Sequence, residues 1–224
     1  MLQRPTVVVF DVNETLSDMS PMADRFTQVG APPHLAKLWF TTLLRDGFAL
    51  TAAGVIEQFA TVGREALRVL LTGVDLDREL GEAVEHVMAG FGSLRVHPDV
   101  PDGVRALRAG GLRLVTLTNG SAQVAERLFT DAGIRDQFER LLSVQDAGAW
   151  KPAPAAYGYA SATCQVPAEQ MVLIAVHPWD IEGAAKVGMS TVWLNRDESA
   201  YPGYFTSPTW TAASLPEAAA QLAR

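Results

Sequence analysis

Hydrophobic positions along the chain fall into two regimes. Thr6 to Phe10 (TVVVF) is a short β-branched run without polar alternation. That is the pattern of a strand buried on both faces, as in a parallel sheet. It stops at Asp11, and the chain then leaves regular structure through Asn13. From about Pro21 to Gly92 the spacing becomes helical. Leu35, Leu38, Trp39 and Leu43 share one face, as do Val55, Phe59, Val62, Leu67, Leu70 and Leu71, and again Leu80, Val84, Val87 and Met88. This stretch carries no strand pattern and reads as a helical insert after the first strand. Beyond Pro98 the two patterns alternate. A helix over Val100 to Ala109 is stopped by Gly110-Gly111. There follow a strand Leu112 to Leu117, a helix Ser121 to Ala132 closed by Gly133, a strand Leu141 to Val144 and a helix Ala153 to Thr163. A strand Met171 to Val176, a helix Asp180 to Val187 and a strand Thr191 to Leu194 complete the series. Alternation of this kind predicts an α/β fold with a parallel sheet and right-handed crossovers. Ligands in such sheets sit at the carboxyl ends of the strands.

Composition narrows the function classes. The chain has 224 residues, 48% hydrophobic and 19% charged, enough to bury a sizeable core. Its net charge of −7 and pI near 5.1 argue against a nucleic-acid partner, which needs a basic face. One cysteine, Cys164, excludes an intramolecular disulfide and a cysteine zinc cage. No apolar run reaches the ~18 residues that a membrane span requires. The opening Met-Leu-Gln-Arg-Pro is unlike a signal peptide, so the expectation is a soluble cytoplasmic protein without a membrane partner.

Four polar groups follow predicted strands or sit in the next loops: Asp11, Thr118-Asn119, Lys151 and Asp180. Each has an ordinary explanation as a turn residue, a helix cap or a solvated loop lysine. At the rim where the fold places ligands they form a coherent set. A carboxylate is a weak nucleophile unless positioned and shielded from water. A nearby lysine keeps it ionised, hydroxyl and amide donors hold a substrate's negative groups, and a second carboxylate serves as a base toward water or as a metal ligand.

With these residues in view, the chain resembles the haloacid dehalogenase superfamily, and within it the type II 2-haloacid dehalogenase branch. The resemblance is carried by Asp11-Val12-Asn13-Glu14-Thr15-Leu16, Leu117-Thr118-Asn119-Gly120, Trp150-Lys151-Pro152 with Tyr157, and His177-Pro178-Trp179-Asp180. Asp131-Ala132-Gly133 and Trp193-Leu194-Asn195-Arg196 extend it over essentially the whole chain. It implies a Rossmannoid three-layer core over residues 1–16 and 93–224, with an α-helical cap over 17–92. It further implies that Asp11 attacks a saturated carbon, giving an ester that water hydrolyses with help from Asp180. Thr15, Thr118 and Asn119 would hold the nucleophile and the carboxylate of a small-molecule substrate. Lys151 would pair with Asp11, and Tyr157 would line the site. The resemblance also allows a homodimer.

Departures from the family pattern sharpen this reading. The magnesium phosphatases of the superfamily resemble Asp-x-Asp at the first motif, where this chain has Asn13. Glu14 could stand in for the missing acid but is one residue out of register. The metal-binding aspartate of the last motif falls at Val176, which removes a ligand that Mg²⁺ needs. No metal or cofactor is therefore expected, and phosphoryl transfer ranks below carbon chemistry. Within the dehalogenase branch, His177 stands where asparagine is usual, and a neighbouring carboxylate can hold it charged or fix its tautomer. The branch places an arginine after the cap's Leu-Trp pair to receive halide, whereas Leu38-Trp39 is followed by Phe40. Arg45 lies ~140° off that face at ~100° per residue. Halide stabilisation would then fall to His177, Asn119 and aromatic edges. Trp39, Phe40, Phe59 and Trp179 read either as walls of a dry pocket or as ordinary packing. A phenyl ring also suits a cationic leaving group. Relatives that open strained cyclic amines such as azetidine carboxylates are thus the chemical alternative, and a non-catalytic binding protein is the alternative of another class.

Overall fold

The computed structural model describes residues 4–223. Its strands are β1 (Val7–Phe10), β2 (Ser17–Asp18), β3 (Arg95–Val96), β4 (Arg113–Thr118), β5 (Arg140–Ser143), β6 (Met171–Ala175), β7 (Ser190–Leu194) and β8 (Trp210–Ala212). Six of them form one parallel sheet in the order β5-β4-β1-β6-β7-β8. The short β2 and β3 pair with each other. The continuous apolar runs explain the order. Every residue of β1, β6 and β7 is buried, so none of these strands can occupy an edge. β1 sits at the centre, with Val8 in register with Leu114 on one side and Val172 on the other.

Helices cover both faces of the sheet. One layer consists of α5 (Val100–Ala109), α6 (Ala122–Asp131) and α10 (Leu215–Leu222). Their apolar stripes, including Val104, Phe129 and Leu215, pack on Val8, Phe10, Ile174 and Val192. α5 and α10 approach closely because Gly103 has no side chain; a Cβ there would lie 2.6 Å from that of Leu215. The alternate strand residues point to the other face, where α8 (Pro154–Cys164) and α9 (Pro178–Lys186) pack against β4, β6 and β7. α7 (Val144–Ala147) is a single turn that follows β5.

The chain divides into two compact units. The sheet unit comprises the chain up to Ser17 and from Arg95 onward. The second unit, Asp18–Leu94, holds α1 (Met22–Thr27), α2 (Leu35–Ala52), α3 (Phe59–Leu71) and α4 (Leu80–Phe91). α2 and α3 meet at Gly63, whose carbonyl accepts the Trp39 indole N–H at 2.9 Å.

Three sequence expectations differ from the structure. Leu38 is 48% exposed although its spacing placed it on the apolar stripe of α2, because the buried face is centred on Trp39, Phe40 and Leu43. Val55 lies outside α3, since Gly54 takes φ +76° and ends the preceding segment. β8 was not anticipated: it has three residues, only one of them buried, and so carries no periodic signal. Among the described residues no helix is long and apolar enough to cross a membrane.

Candidate active site

Asp11 is the first residue past β1. Its amide still donates to the Ile174 carbonyl at 3.1 Å, so the carboxylate is mounted on the sheet itself. β1 is also where the chain's crossovers diverge: β4 and β5 lie to one side, β6 and its successors to the other. Such a switch point leaves a crevice at the strand ends. Thr118-Asn119 leaves β4 there, and His177 precedes α9 there.

Both oxygens of Asp11 are held. Lys151 Nζ donates to Oδ1 at 2.9 Å. The Thr15 hydroxyl donates to Oδ2 at 2.7 Å, and His177 Nδ1 lies 3.1 Å from the same oxygen. Thr15 is fixed in turn, because its oxygen accepts the Val176 N–H at 3.1 Å and its carbonyl accepts from Arg196 Nη2 at 3.0 Å. Arg196 is anchored on Asp99 at 2.8 Å.

Lys151 is fully buried and bridges two carboxylates, with its second bond to Asp180 Oδ2 at 2.6 Å. Its backbone is clamped by Asn119. The Lys151 N–H donates to Asn119 Oδ1 at 2.9 Å, and Asn119 Nδ2 donates to the Lys151 carbonyl at 3.2 Å. Asp180, also fully buried, receives the Tyr157 hydroxyl on Oδ1 at 2.6 Å. Tyr157 itself is buried against Gly183 and Pro152. Its hydroxyl positions the Asp180 carboxylate. Asp180 lies within the first turn of α9, which begins at Pro178 because proline suits a position whose N–H has no partner in the helix.

Electrostatics follow from this wiring. Burial pushes the Asp11 carboxyl up, but Lys151, His177 and the Thr15 hydroxyl together hold it well below the usual carboxylate range. Asp180 shifts the other way: burial and the nearby Asp11 charge outweigh Lys151 and Tyr157 and raise it. Lys151 is raised because its two carboxylates outweigh its desolvation. His177 is pushed up to about 10, since its bonds to Asp11 and Glu14 overcome the effect of burial. A buried, ionised carboxylate thus faces a second one that takes up a proton more readily, which is the division of labour that sequential attack and base catalysis need.

The donor set does not fit a divalent cation. The ammonium of Lys151 fills the position between Asp11 and Asp180, and residue 176 offers an isopropyl group.

The remaining expected residues fall into two groups. Trp179 stacks on His177 with ring centroids 4.9 Å apart, and Lys151 Nζ lies 5.8 Å from its ring. The Thr118 oxygen accepts the Gly120 N–H at 2.9 Å, leaving its proton to give. Asn13 lies beside Gly120, where a Cβ would come 3.4 Å from its Nδ2. The Asn119 amide is engaged at both ends by Lys151, which makes it a backbone clamp ahead of a halide donor. Trp39, Phe40 and Phe59 gather in an aromatic cluster of the helical unit with Phe26 and Phe91. Arg45 is exposed and pairs with Asp46 at 2.8 Å. Glu14 is the residue that sequence reasoning left outside the site. Its Oε2 lies 2.7 Å from His177 Nε2, a contact set by a backbone φ of +62° that no sequence spacing signals.

Comparison with known proteins gives a consistent picture. A family model described as haloacid dehalogenase-like hydrolase matches residues 5–188. The chain is 27% identical to haloacetate dehalogenase H-2 of Moraxella sp. (strain B), covering 94% of both chains. It is 28% identical to an (S)-2-haloacid dehalogenase of Pseudomonas putida, over 94% of this chain and 93% of the relative. A solved L-2-haloacid dehalogenase superposes with a TM-score of 0.92 at 28% identity, over 99% of this chain and 100% of the other.

Proposed function

The chain belongs to the haloacid dehalogenase-like hydrolase family, and we propose that it hydrolyses the carbon–halide bond of a short 2-haloacid through an ester on Asp11. Asp11 Oδ1 attacks the α-carbon, halide departs with the bonding pair, and configuration at that carbon inverts. Lys151 and the donors on Oδ2 keep the carboxylate ionised and aimed until that moment. The Thr118 hydroxyl holds the substrate carboxylate. Water then attacks Asp11 Cγ while Asp180 takes its proton. The C–Oδ1 bond breaks, and the 2-hydroxy acid leaves with that oxygen.

One observation carries this reading: a buried, ionised Asp11 shares the Lys151 ammonium with a second carboxylate of higher pKa. The relatives named above, a haloacetate dehalogenase and an (S)-2-haloacid dehalogenase, support the substrate class. The test is halide release from L-2-chloropropionate and fluoroacetate, followed by ion chromatography. Asp11→Asn is expected to abolish it, and one turnover in oxygen-18 water is expected to label the Asp11 side chain. Release that survives Asp11→Asn, or an unlabelled Asp11, overturns the proposal. Phe40 in place of a halide-receiving arginine favours one competitor, ring opening of a strained cyclic amine. Turnover of azetidine-2-carboxylate without release of any halide selects that reading.

A further inference from the structure

The two ring nitrogens of His177 face two different carboxylates: Nδ1 is 3.1 Å from Asp11 Oδ2, and Nε2 is 2.7 Å from Glu14 Oε2. A carboxylate only accepts, so each nitrogen must carry a proton, and the ring is an imidazolium. The Thr15 hydroxyl accepts a backbone N–H from Val176, so its own proton must point to Asp11 Oδ2 as well. Two donors therefore converge on one oxygen of Asp11, while Lys151 alone serves the other.

We propose that Thr15 and His177 form the oxyanion hole for hydrolysis of the Asp11 ester, and that Glu14 is the positioning residue that keeps His177 in its donor form. The inference rests on the covalent reading above and assigns the two oxygens within it. Oδ1 becomes the ester oxygen. Oδ2 becomes the carbonyl oxygen and receives the electron pair when water adds to Cγ. Asp180 takes the water proton. When the tetrahedral carbon collapses, the pair on Oδ2 reforms the carbonyl and the C–Oδ1 bond breaks toward the substrate. Asp180 returns its proton to the departing alkoxide, and the regenerated Asp11 acid releases one proton to solvent. Donors fixed beforehand on the oxygen where charge develops are the arrangement that stabilises such an intermediate.

Glu14 is built for this task. Its φ of +62° is a conformation that side-chain-bearing residues seldom adopt, and it is held there from both sides. The Glu14 N–H donates to Ser17 Oγ at 3.3 Å, and its carbonyl lies 3.0 Å from His97 Nε2. Trp179 stacks on the face of the His177 ring and fixes its plane. The titratable groups of the sheet unit around His177 are thus Asp11 and Glu14 in direct contact, Lys151 beyond Asp11, and His97 beyond the Glu14 carbonyl.

The test follows a single turnover of L-2-chloropropionate by rapid quench and mass spectrometry of the Asp11 peptide. In Glu14→Gln ester formation is expected to change less than ester hydrolysis. Hydrolysis is expected to fall ~10–100-fold, since loss of a full oxyanion donor costs ~100–1,000-fold, so that the ester accumulates. The alkaline limb of the hydrolysis step is expected to move down toward neutral pH, and Glu14→Asp to recover part of the shift. Nitrogen-15 spectra of the wild-type protein, recorded between the ordinary value of 6.5 and about 10, are expected to show both ring nitrogens of His177 protonated. A neutral His177 in that window overturns the proposal, as does a Glu14→Gln protein that slows ester formation and hydrolysis equally or leaves the alkaline limb unmoved. If the wild type itself gives no Asp11 adduct at any quench time and no oxygen-18 label, the covalent reading fails first, and the wild-type control separates the two outcomes.

Discussion

Tyr157→Phe isolates the positioning of the base. The substitution keeps the ring packed against Gly183 and Pro152 and removes a single group, the hydroxyl that donates to Asp180 Oδ1 at 2.6 Å. A hydrogen bond to a charged group is worth ~1.5–3 kcal/mol. The bond favours the ionised form of Asp180, so its loss adds to the burial that already raises this carboxyl. At 1.36 kcal/mol per pH unit, the expected rise is ~1–2 units. Asp180 must be ionised to accept the water proton, so the acid limb of ester hydrolysis should move up by that amount. Ester formation, which uses Asp11, should keep its acid limb. The assay is the pH dependence of each step from rapid-quench measurements on the Asp11 ester. An acid limb of hydrolysis that stays in place refutes the assignment of Asp180 as the base, and an equal shift in both steps refutes its separation from Asp11.

Gly183→Ala should act on the same carboxylate through Tyr157. The new Cβ would lie 2.8 Å from Pro152 Cβ and against the Tyr157 hydroxyl, so overpacking of ~1–3 kcal/mol should appear as a lowered Tm together with slower ester hydrolysis. The stability of the wild-type protein should also depend on His177. Its pKa is raised on folding, so its contribution is complete below 6.5 and is lost as pH rises toward about 10. Tm should therefore fall between pH 6.5 and 9.0, before the buried Cys164 thiol, whose ordinary value is 9.0, begins to contribute. His177→Gln should flatten that slope, and an unchanged slope would count against a charged His177.

What could be read from the sequence followed periodicity. β1 and β6 are unbroken apolar runs, so their ends, and with them Asp11 and the segment leading to Asp180, could be located from pattern alone. Lys151 and Asn119 were legible as loop residues near those ends, although their mutual clamp, 32 positions apart, was not. Features that depend on backbone geometry or on side-chain direction stayed hidden. Glu14 reaches His177 only through a left-handed turn, and from the buried face of α8 the Tyr157 hydroxyl finds Asp180, 23 positions away. In the helical unit, equal spacing made Leu38 and Trp39 look alike, and only packing buries one and exposes the other.

The buried ammonium of Lys151 also bears on how the molecule is assembled. Its partners stand 140 positions upstream and 29 downstream, so no contiguous fragment of the first half can neutralise it. A nascent chain that has laid down β1 and β4 still holds an aspartate without its counterion. Long-range closures of this kind come late and slow the search for the native state. The same three charges that serve the chemistry therefore tie the beginning of the chain to its final third and favour all-or-none folding of the sheet unit over stable halves.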